Sequence, residues 1–212
     1  MRKPFTAFRG IAAPLPLSNV NTDAIIPSDY LRSETTDLAR GLFGRWRFDA
    51  EGKERPDFVL NRPPFRRAEI LFAGENFGCG SSREAAAWAL QRFGIRVVAA
   101  PSFADIFYEN AFRNGLLAAV VAPDDLAAMV AALEAHPDDA QVEVDLASQT
   151  LVRGNAARIG FQVPAFRREA LLRGDDEIAG TLRHVETIGR YVADDRARRG
   201  WAHRAIAPKE NP

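Results

Sequence analysis

A glycine-rich run in the first half of the chain contains the residues best suited to chemistry. It reads GENFGCGSSRE over residues 74–84, and three glycines stand around its centre, at Gly74, Gly78 and Gly80. Glycine adopts positive φ angles without steric cost, so the backbone can turn sharply here and approach a ligand closely. Ser81, Ser82 and Arg83 follow directly. The run therefore offers a tight turn with hydroxyl and guanidinium groups at its exit.

Stabilisation of an anionic oxygen is the chemistry that this run favours. We expect a helix from Ser82 to Phe93, which would put Ser81 beside free backbone N–H groups and the positive end of the helix dipole. A serine alkoxide or a substrate carboxylate fits such a place, and Arg83 can bind a carboxylate through two hydrogen bonds. Serine is a weak base at neutral pH and needs this support, together with exclusion of water.

Three other interpretations of the run stay open. A serine-capped turn between a strand and a helix is common in α/β folds for structural reasons alone. A phosphate loop is a weaker alternative, because the Gly-x-Gly-x-x-Gly order and the Lys-Ser/Thr ending are both absent. Cys79 is a candidate nucleophile next to a helix start, although a small residue that fills the turn is the simpler role.

The elements around the run predict a parallel α/β unit. The order strand, helix, strand, helix, strand is assigned to residues 69–74, 82–93, 97–100, 104–113 and 116–121. Gly94 ends the first of these helices as its C-terminal cap. Trp88 and Phe93, at helical spacing, are assigned to the core.

Less regular segments flank this unit. Upstream we expect an early strand, a turn-rich loop and a long excursion with only a short helix near residues 36–44; these occupy residues 5–17, 19–27 and 28–66. Downstream we expect a helix capped by Asp124, strands within residues 141–152 and 157–163, and a helical segment from 165 to 198 broken at Gly174 and Gly180. Residues 1–200 are assigned to one domain and residues 201–212 to a loose tail.

The composition excludes several classes of protein. The chain has 212 residues, and its 28 Lys and Arg balance its 28 Asp and Glu. A formal net charge of zero gives no indication of nucleic acid or an anionic membrane as a partner. No apolar run approaches the roughly 20 residues that a membrane-spanning helix needs, and no apolar signal segment follows the basic N-terminus. We therefore expect a cytoplasmic protein.

The metal-binding residue types are few and scattered. Cys79 is the only cysteine, which is too few for an intrachain disulfide or an iron–sulfur cluster owned by this chain. The three histidines have no metal-ligand spacing, at His136, His184 and His203. Any metal that takes part in the chemistry is expected to come from another chain.

The run at residues 74–84 resembles the signature of the swivelling domain of the aconitase superfamily. Further segments resemble the branch formed by the small subunits of bacterial 3-isopropylmalate dehydratases, namely NVNTDAIIP at 19–27, WRF at 46–48, PDFVLN at 56–61, PSFADIF at 101–107, NGLL at 114–117 and AFRR at 165–168. The resemblance implies an α/β fold of the swivelling β/β/α type. It also implies a separate large subunit that carries a [4Fe–4S] cluster, in a heterodimer or heterotetramer, and a hydroxy dicarboxylic acid that is dehydrated and rehydrated.

The resemblance also implies roles for single residues. Ser81 resembles the catalytic base, supported by Ser82, and Arg83 resembles the arginine that contacts both substrate and alkoxide. Asp23 resembles an acidic residue near the leaving hydroxyl, and Arg32 resembles an arginine that binds a substrate carboxylate. Gly80 would let the backbone approach the substrate. Two simpler roles stay open: Asp23 can close a turn, and Arg32 can be a solvated surface charge.

The sequence departs from the family at three places. Ala85 stands where the family usually has histidine, Asn21 replaces an aspartate and is given only a turn role, and the loop at 33–41 differs from the family's pattern. The first and third departures bear on the side group of the substrate. They leave room for a paralogue acting on citraconate or dimethylmalate, and for a non-catalytic module that keeps the fold.

Overall fold

A seven-stranded barrel organises the molecule. The structure is a computed structural model that describes residues 3–32, 37–154 and 158–203. Its strands are β1 (Phe8–Leu15), β2 (Ile70–Ala73), β3 (Val97–Ala100), β4 (Leu117–Val121), β5 (Gln141–Asp145), β6 (Thr150–Arg153) and β7 (Ile159–Gln162). They close into a barrel in the order β1-β2-β3-β4-β7-β6-β5.

Nine α-helices lie within the described residues. Three are single turns, α1 (Thr22–Ile25), α2 (Leu38–Gly41) and α3 (Gly44–Arg47). The longer ones are α4 (Ala85–Phe93), α5 (Asp105–Asn114), α6 (Pro123–Ala135), α7 (Ala165–Arg173), α8 (Glu177–Leu182) and α9 (Val185–Arg198). None of the helices in this part of the chain combines the length and apolar character required to cross a membrane.

The parallel unit predicted from the sequence is confirmed. β2 pairs with β3 and β3 with β4, both in parallel, with α4 and α5 as the crossover helices. Every residue of β2 and β3 is buried, as expected for parallel strands covered on both faces. The α/β class is therefore confirmed.

β1 joins this unit to the antiparallel part of the barrel. Its second half pairs in parallel with β2, from Ala12 opposite Ile70 onward, and its first half pairs antiparallel with β5. β6 and β7 complete the closure, with β7 antiparallel to β4. The strands predicted within residues 5–17, 141–152 and 157–163 are thus confirmed, although residue 157 lies outside the described residues.

Three helix predictions need correction. The helix expected from Ser82 begins at Ala85, because Arg83 donates its backbone N–H to the Ser81 carbonyl and holds this segment in a turn. Asp124 does not cap α6 but lies in its first turn, directly after Pro123 at the first helical position. Proline is tolerated there because the backbone N–H of that position has no partner within the helix. Gly180 lies inside α8, and the helical segment breaks instead between α8 and α9.

The long excursion at residues 28–66 packs onto the core more than expected. The helix predicted near 36–44 is confirmed as α2, and α3 follows it. Buried Arg47 fastens the segment, since its guanidinium donates to the carbonyls of Ala39 and Leu42 and to the Asn61 side chain. Desolvation lowers the pKa of Arg47, and these acceptors offset the cost of burying its charge.

Trp88 contradicts its assignment to the core. It is 42% exposed, and its indole N–H donates to the Asn114 side chain at 3.1 Å. The indole needs a polar partner, and Asn114 at the end of α5 provides it. Phe93 packs against the core as expected.

Candidate functional site

Two turns lie side by side at the carboxyl end of β2 and form the candidate site. The segment at residues 19–22 runs parallel to the segment at 75–79, with backbone hydrogen bonds from Asn19 to Glu75, from Gly78 to Val20 and from Thr22 to Cys79, at 2.7–2.8 Å. On its other side, the glycine turn bonds to the backbone of Ser102 and Ala104. The turn that carries Ser81 is therefore fixed from both sides.

Positive φ angles are confirmed at two of the three glycines, Gly78 and Gly80, and Gly74 does not share them. Gly78 and Gly80 have φ angles of +80° and +92°, in the left-handed region that favours glycine. A Cβ on Gly78 would lie 2.2 Å from Cγ of the buried Phe107. A Cβ on Gly74 would lie 2.5 Å from the Leu17 backbone. Glycine is thus required for close packing as well as for conformation.

Ser81 lies at the exit of this turn and contacts Thr22. The Thr22 hydroxyl oxygen is 3.0 Å from the Ser81 carbonyl oxygen and 3.0 Å from Ser81 Oγ. Ser81 itself is exposed, as are its neighbours Gly80 and Ser82, whereas Thr22 is buried. Ser81 is therefore accessible at the surface, and the hydroxyl of Thr22, to which it is hydrogen-bonded, is buried below it.

Arg83 connects the two turns through its side chain. Its Nη1 donates to Asp23 Oδ1 at 2.6 Å and to the Ile26 carbonyl at 2.8 Å. The Arg83 side chain is only 20% exposed, against 55% for Asp23. The structure therefore brings three of the predicted residues, Ser81, Arg83 and Asp23, to one place although they come from segments 60 residues apart.

The charge of Arg83 acts on Asp23. The hydrogen bond from Arg83, followed by its positive charge, lowers the pKa of Asp23, and the more distant Arg45 adds to this. Asn21 has a turn role, since its side chain accepts the Ala24 N–H at 2.8 Å and caps α1. The turn role predicted for Asn21 is therefore confirmed. Asp23 also accepts a backbone hydrogen bond from Ser28, so its turn-closing role stays open.

Arg32 is paired with a different carboxylate, that of Asp29. Its side chain is 78% exposed, and its guanidinium faces Asp29 at 3.5 Å. Arg45 faces the same carboxylate at 3.1 Å. The loop that follows Arg32 was expected to shape the pocket, but Ser33, Glu34, Thr35 and Thr36 lie outside the described residues.

Cys79 in the run and Ala85 just after it contribute to pairing and packing. Ala85, at the first position of α4, is 7% exposed and belongs to the apolar core. The carbonyl of half-buried Cys79 accepts the Thr22 N–H. Cys79 thus contributes its backbone to the pairing of the two turns, which suits the simpler of its two predicted roles.

Metal-ligating side chains do not cluster in the part of the chain that the structure describes. Residues 3–32, 37–154 and 158–203 contain no group of three or more His, Cys, Asp and Glu side chains able to hold a metal ion. The donor set of these residues therefore does not fit a metal or an iron–sulfur cluster. The site instead consists of a hydroxyl pair and an arginine–aspartate pair.

Sequence reasoning missed one residue of this cluster, Thr22. It lies inside the NVNTDAIIP segment, but nothing in its type or spacing separates it from an ordinary helix-start threonine. Only the pairing of the two turns brings its hydroxyl to Ser81. The burial of Thr22, at 2% exposure, distinguishes it from such a threonine, and a sequence pattern does not reveal that burial.

Comparisons with known proteins match almost the whole chain. The family model of the aconitase C-terminal domain matches residues 2–123. The 3-isopropylmalate dehydratase small subunit of Rhodospirillum centenum is 49% identical over 199 residues, which cover 93% of this chain and 98% of that protein. The protein of the same description from Jannaschia sp. is 48% identical, with the same coverage of both chains.

A solved structure is also similar. The crystal structure of 3-isopropylmalate dehydratase from Methanocaldococcus jannaschii has a TM-score of 0.62 and 29% sequence identity. The match covers 88% of this chain and 99% of that chain. These matches confirm the resemblance that the residues of the glycine turn first indicated. The chain belongs to the aconitase C-terminal domain family, in its branch of 3-isopropylmalate dehydratase small subunits.

Proposed function

We propose that this chain is the base-carrying small subunit of a hydro-lyase that interconverts 3-isopropylmalate and 2-isopropylmalate in leucine biosynthesis. The observation that carries the proposal is the intact Ser81–Arg83–Asp23 cluster in a chain that is 49% identical to a 3-isopropylmalate dehydratase small subunit over 93% of its length. A scaffold without catalysis has no need of a fixed, exposed serine beside a half-buried arginine.

Ser81 acts as the base in this proposal. Ser81 gives up its own proton, which ends on the leaving hydroxyl, and its Oγ then takes the proton from the carbon next to a carboxylate. The C–H electron pair becomes the C=C bond, and the C–O bond of the neighbouring carbon breaks as water leaves. Rehydration in the other orientation gives the isomer. Because Ser81 is exposed here, it needs a second protein surface to exclude water from its alkoxide.

Arg83 and Asp23 organise the charges around this step. Arg83 holds positive charge beside the serine and binds a substrate carboxylate, while Asp23 lies near the leaving hydroxyl. Gly80 and Ser82 form the exposed backbone edge along which the substrate lies, and Arg32 binds the second carboxylate. Two carboxylates on the substrate account for two arginines at the site.

The partner in this proposal is a large subunit that carries a [4Fe–4S] cluster. When bound, the cluster supplies a Lewis acid that polarises the leaving hydroxyl. The described residues of this chain hold no metal-ligating group, so the cluster is assigned to the large subunit. Residues 1–200 act as one domain that closes over that subunit, in a heterodimer or heterotetramer in the cytoplasm.

Reconstitution tests the proposal. The chain is purified with the large subunit encoded beside it, loaded with iron and sulfide under anaerobic conditions, and assayed with isopropylmalate, dimethylmalate and citraconate. We expect turnover of isopropylmalate and a loss on the order of 1000-fold in Ser81→Ala, with assembly unchanged. Ser148→Ala is the matched control, because Ser148 is an exposed serine in the β5–β6 turn.

Each outcome has a definite meaning. Undiminished turnover in Ser81→Ala removes Ser81 from the mechanism. Faster turnover of citraconate or dimethylmalate assigns the chain to a paralogous hydratase. If the complex loaded with iron and sulfide acts on none of the three acids, the enzyme proposal is wrong and the chain is a non-catalytic module.

A further inference from the structure

A buried threonine lies directly under the proposed base. Thr22 is 2% exposed, and its hydroxyl is within hydrogen-bond distance of two atoms of Ser81, the carbonyl oxygen and Oγ, both at 3.0 Å. Ser81 and Thr22 are 59 residues apart in the chain. A contact of this kind depends on the whole pairing of the two turns, so it is specific to the folded site.

The protons at this contact can be assigned. A carbonyl oxygen only accepts, so the single Thr22 proton is donated to the Ser81 carbonyl. In this arrangement the Thr22 oxygen keeps its lone pairs, and the Ser81 Oγ–H, 3.0 Å away, can donate to it. This arrangement turns the Ser81 proton inward and leaves the Ser81 lone pairs toward the exposed side.

The Ser81 carbonyl has a second donor. The backbone N–H of Arg83 donates to it at 2.8 Å. If the Thr22 proton turns away, the carbonyl therefore keeps a hydrogen bond, and the cost of an unsatisfied polar group is avoided. The Thr22 hydroxyl can thus donate to either of two acceptors on Ser81, the carbonyl oxygen or Oγ.

Thr22 itself is rigidly held. Its N–H donates to the Cys79 carbonyl at 2.8 Å, and its own carbonyl accepts the Ile26 N–H at 3.0 Å. The preceding Asn21 caps the helical turn that contains it. A β-branched side chain on a fixed backbone has few rotamers, so the Thr22 oxygen stays in place while only its proton rotates.

We propose that Thr22 is a positioning residue that directs the Ser81 hydroxyl and donates its own proton to Ser81 Oγ whenever Ser81 is an alkoxide. This inference rests on the proposed role of Ser81 as the base. When Ser81 has passed its own proton to the leaving hydroxyl, the Thr22 O–H rotates from the Ser81 carbonyl to Oγ and donates a hydrogen bond there, without breaking any covalent bond. Once Ser81 has taken the proton from the substrate carbon, Ser81 Oγ–H donates to Thr22 again and the first arrangement returns.

The test uses the reconstituted two-subunit enzyme with isopropylmalate. Thr22→Val keeps the shape of the side chain and removes the hydroxyl, and we expect kcat to fall on the order of 100-fold while KM stays within about twofold. Thr22→Ser retains the hydroxyl and is expected to recover most of kcat. A threonine that only supports the fold would alter assembly or KM and would not be rescued in kcat alone.

A second pair of variants covers the case in which valine prevents assembly. Thr22→Ser and Thr22→Ala both lack the methyl group and differ only in the hydroxyl, so their kcat ratio reports the hydroxyl whatever the methyl contributes. We expect a ratio on the order of 100. A ratio within about threefold of one would overturn the inference.

Coupling to Ser81 completes the design. In a Ser81→Ala background, Thr22→Val should change the residual turnover by less than about twofold, because a residue that acts through Ser81 has nothing left to act on. A full, additive loss in that background would overturn the positioning role. Wild-type turnover in Ser81→Ala alone would instead refute the proposed function, so the two failures are distinguishable.

Discussion

The glycine turn with Ser81 and the loop with Arg32 hold their candidate residues in opposite ways. Backbone hydrogen bonds on both sides, a buried threonine and a 20%-exposed arginine fix the surroundings of Ser81. Arg32 is 78% exposed and faces Asp29, whose side chain is 56% exposed. One region is built before any substrate arrives, whereas the other is free to adjust.

This difference matches the different tasks proposed for Ser81 and Arg32. A base must meet one hydrogen atom within a fraction of an ångström, so its support has to be preorganised. A carboxylate-binding arginine can be ordered by the ligand itself, because an exposed ion pair such as Arg32–Asp29 contributes little and is easily exchanged. We therefore expect substitutions in the fixed turn to change kcat or folding, and substitutions in the loop to change KM.

The largest effect is expected for Arg83→Gln. The change removes the charge beside Ser81 and the bridge to Asp23 and Ile26, and we expect kcat of the reconstituted enzyme to fall on the order of 100-fold to 1000-fold. Steady-state kinetics with isopropylmalate measures it. Arg92→Gln, an exposed arginine on α4, is the control. A change confined to KM would contradict the division between the two regions.

The same variant has a signature in the titration of Asp23. Arg83 lowers the pKa of this carboxyl, so the pair contributes stability above the unfolded pKa of the group and loses it as pH falls through the folded one. Carbon NMR of the Asp23 carboxyl should show a higher titration midpoint in Arg83→Gln and an unchanged midpoint in Arg92→Gln. An unchanged midpoint in the first variant would show that Arg83 does not set this charge.

Gly78→Ala tests how firmly the turn is fixed. The new Cβ would lie 2.2 Å from Phe107 Cγ at a φ of +80°, and we expect the free energy of unfolding to fall by about 3 kcal/mol. Urea unfolding of the purified chain measures it. Gly189→Ala in α9, where no atom lies within 4 Å of the new Cβ, is the control and should stabilise by up to about 1 kcal/mol. Equal stability of both variants would mean that the turn is not close-packed.

The smallest effect is expected for Arg32→Ala. Loss of one charge-assisted hydrogen bond to the substrate raises KM about tenfold with kcat nearly constant. Arg62→Ala, another exposed arginine of the excursion, should leave both constants unchanged. An unaltered KM in Arg32→Ala would return this residue to the role of a solvated surface charge.

Much of the frame of the site could be predicted from the sequence. The buried runs at β2 and β3 are apolar and end in turn residues, so strand periodicity and glycine placement predict the parallel unit. The positive φ angles at Gly78 and Gly80 are ones that glycine adopts without steric cost, so the residue types indicate a sharp turn here. These features are local, and local patterns suffice to find them.

What escaped prediction depends on distant neighbours. α4 begins at Ala85 and not at Ser82 because a turn closes between Ser81 and Arg83, and the Arg83 side chain in that turn is bonded to Asp23 and Ile26, 57 or more residues earlier. Trp88 found its polar partner at Asn114, on another helix. The contact between Thr22 and Ser81 exists only once β1 and β2 are paired. Each of these interactions joins residues that are far apart in the sequence, so a local sequence pattern does not predict it.

The closure of the barrel has a consequence for assembly. Each of the seven strands has a hydrogen-bonded neighbour on both sides in the order β1-β2-β3-β4-β7-β6-β5, so the described sheet offers no free edge on which a strand of another protein could be added. A second subunit must then engage this chain through side chains and loops. Such contacts can form and separate without disturbing a backbone ladder, which suits the proposed closure of this domain over a large subunit.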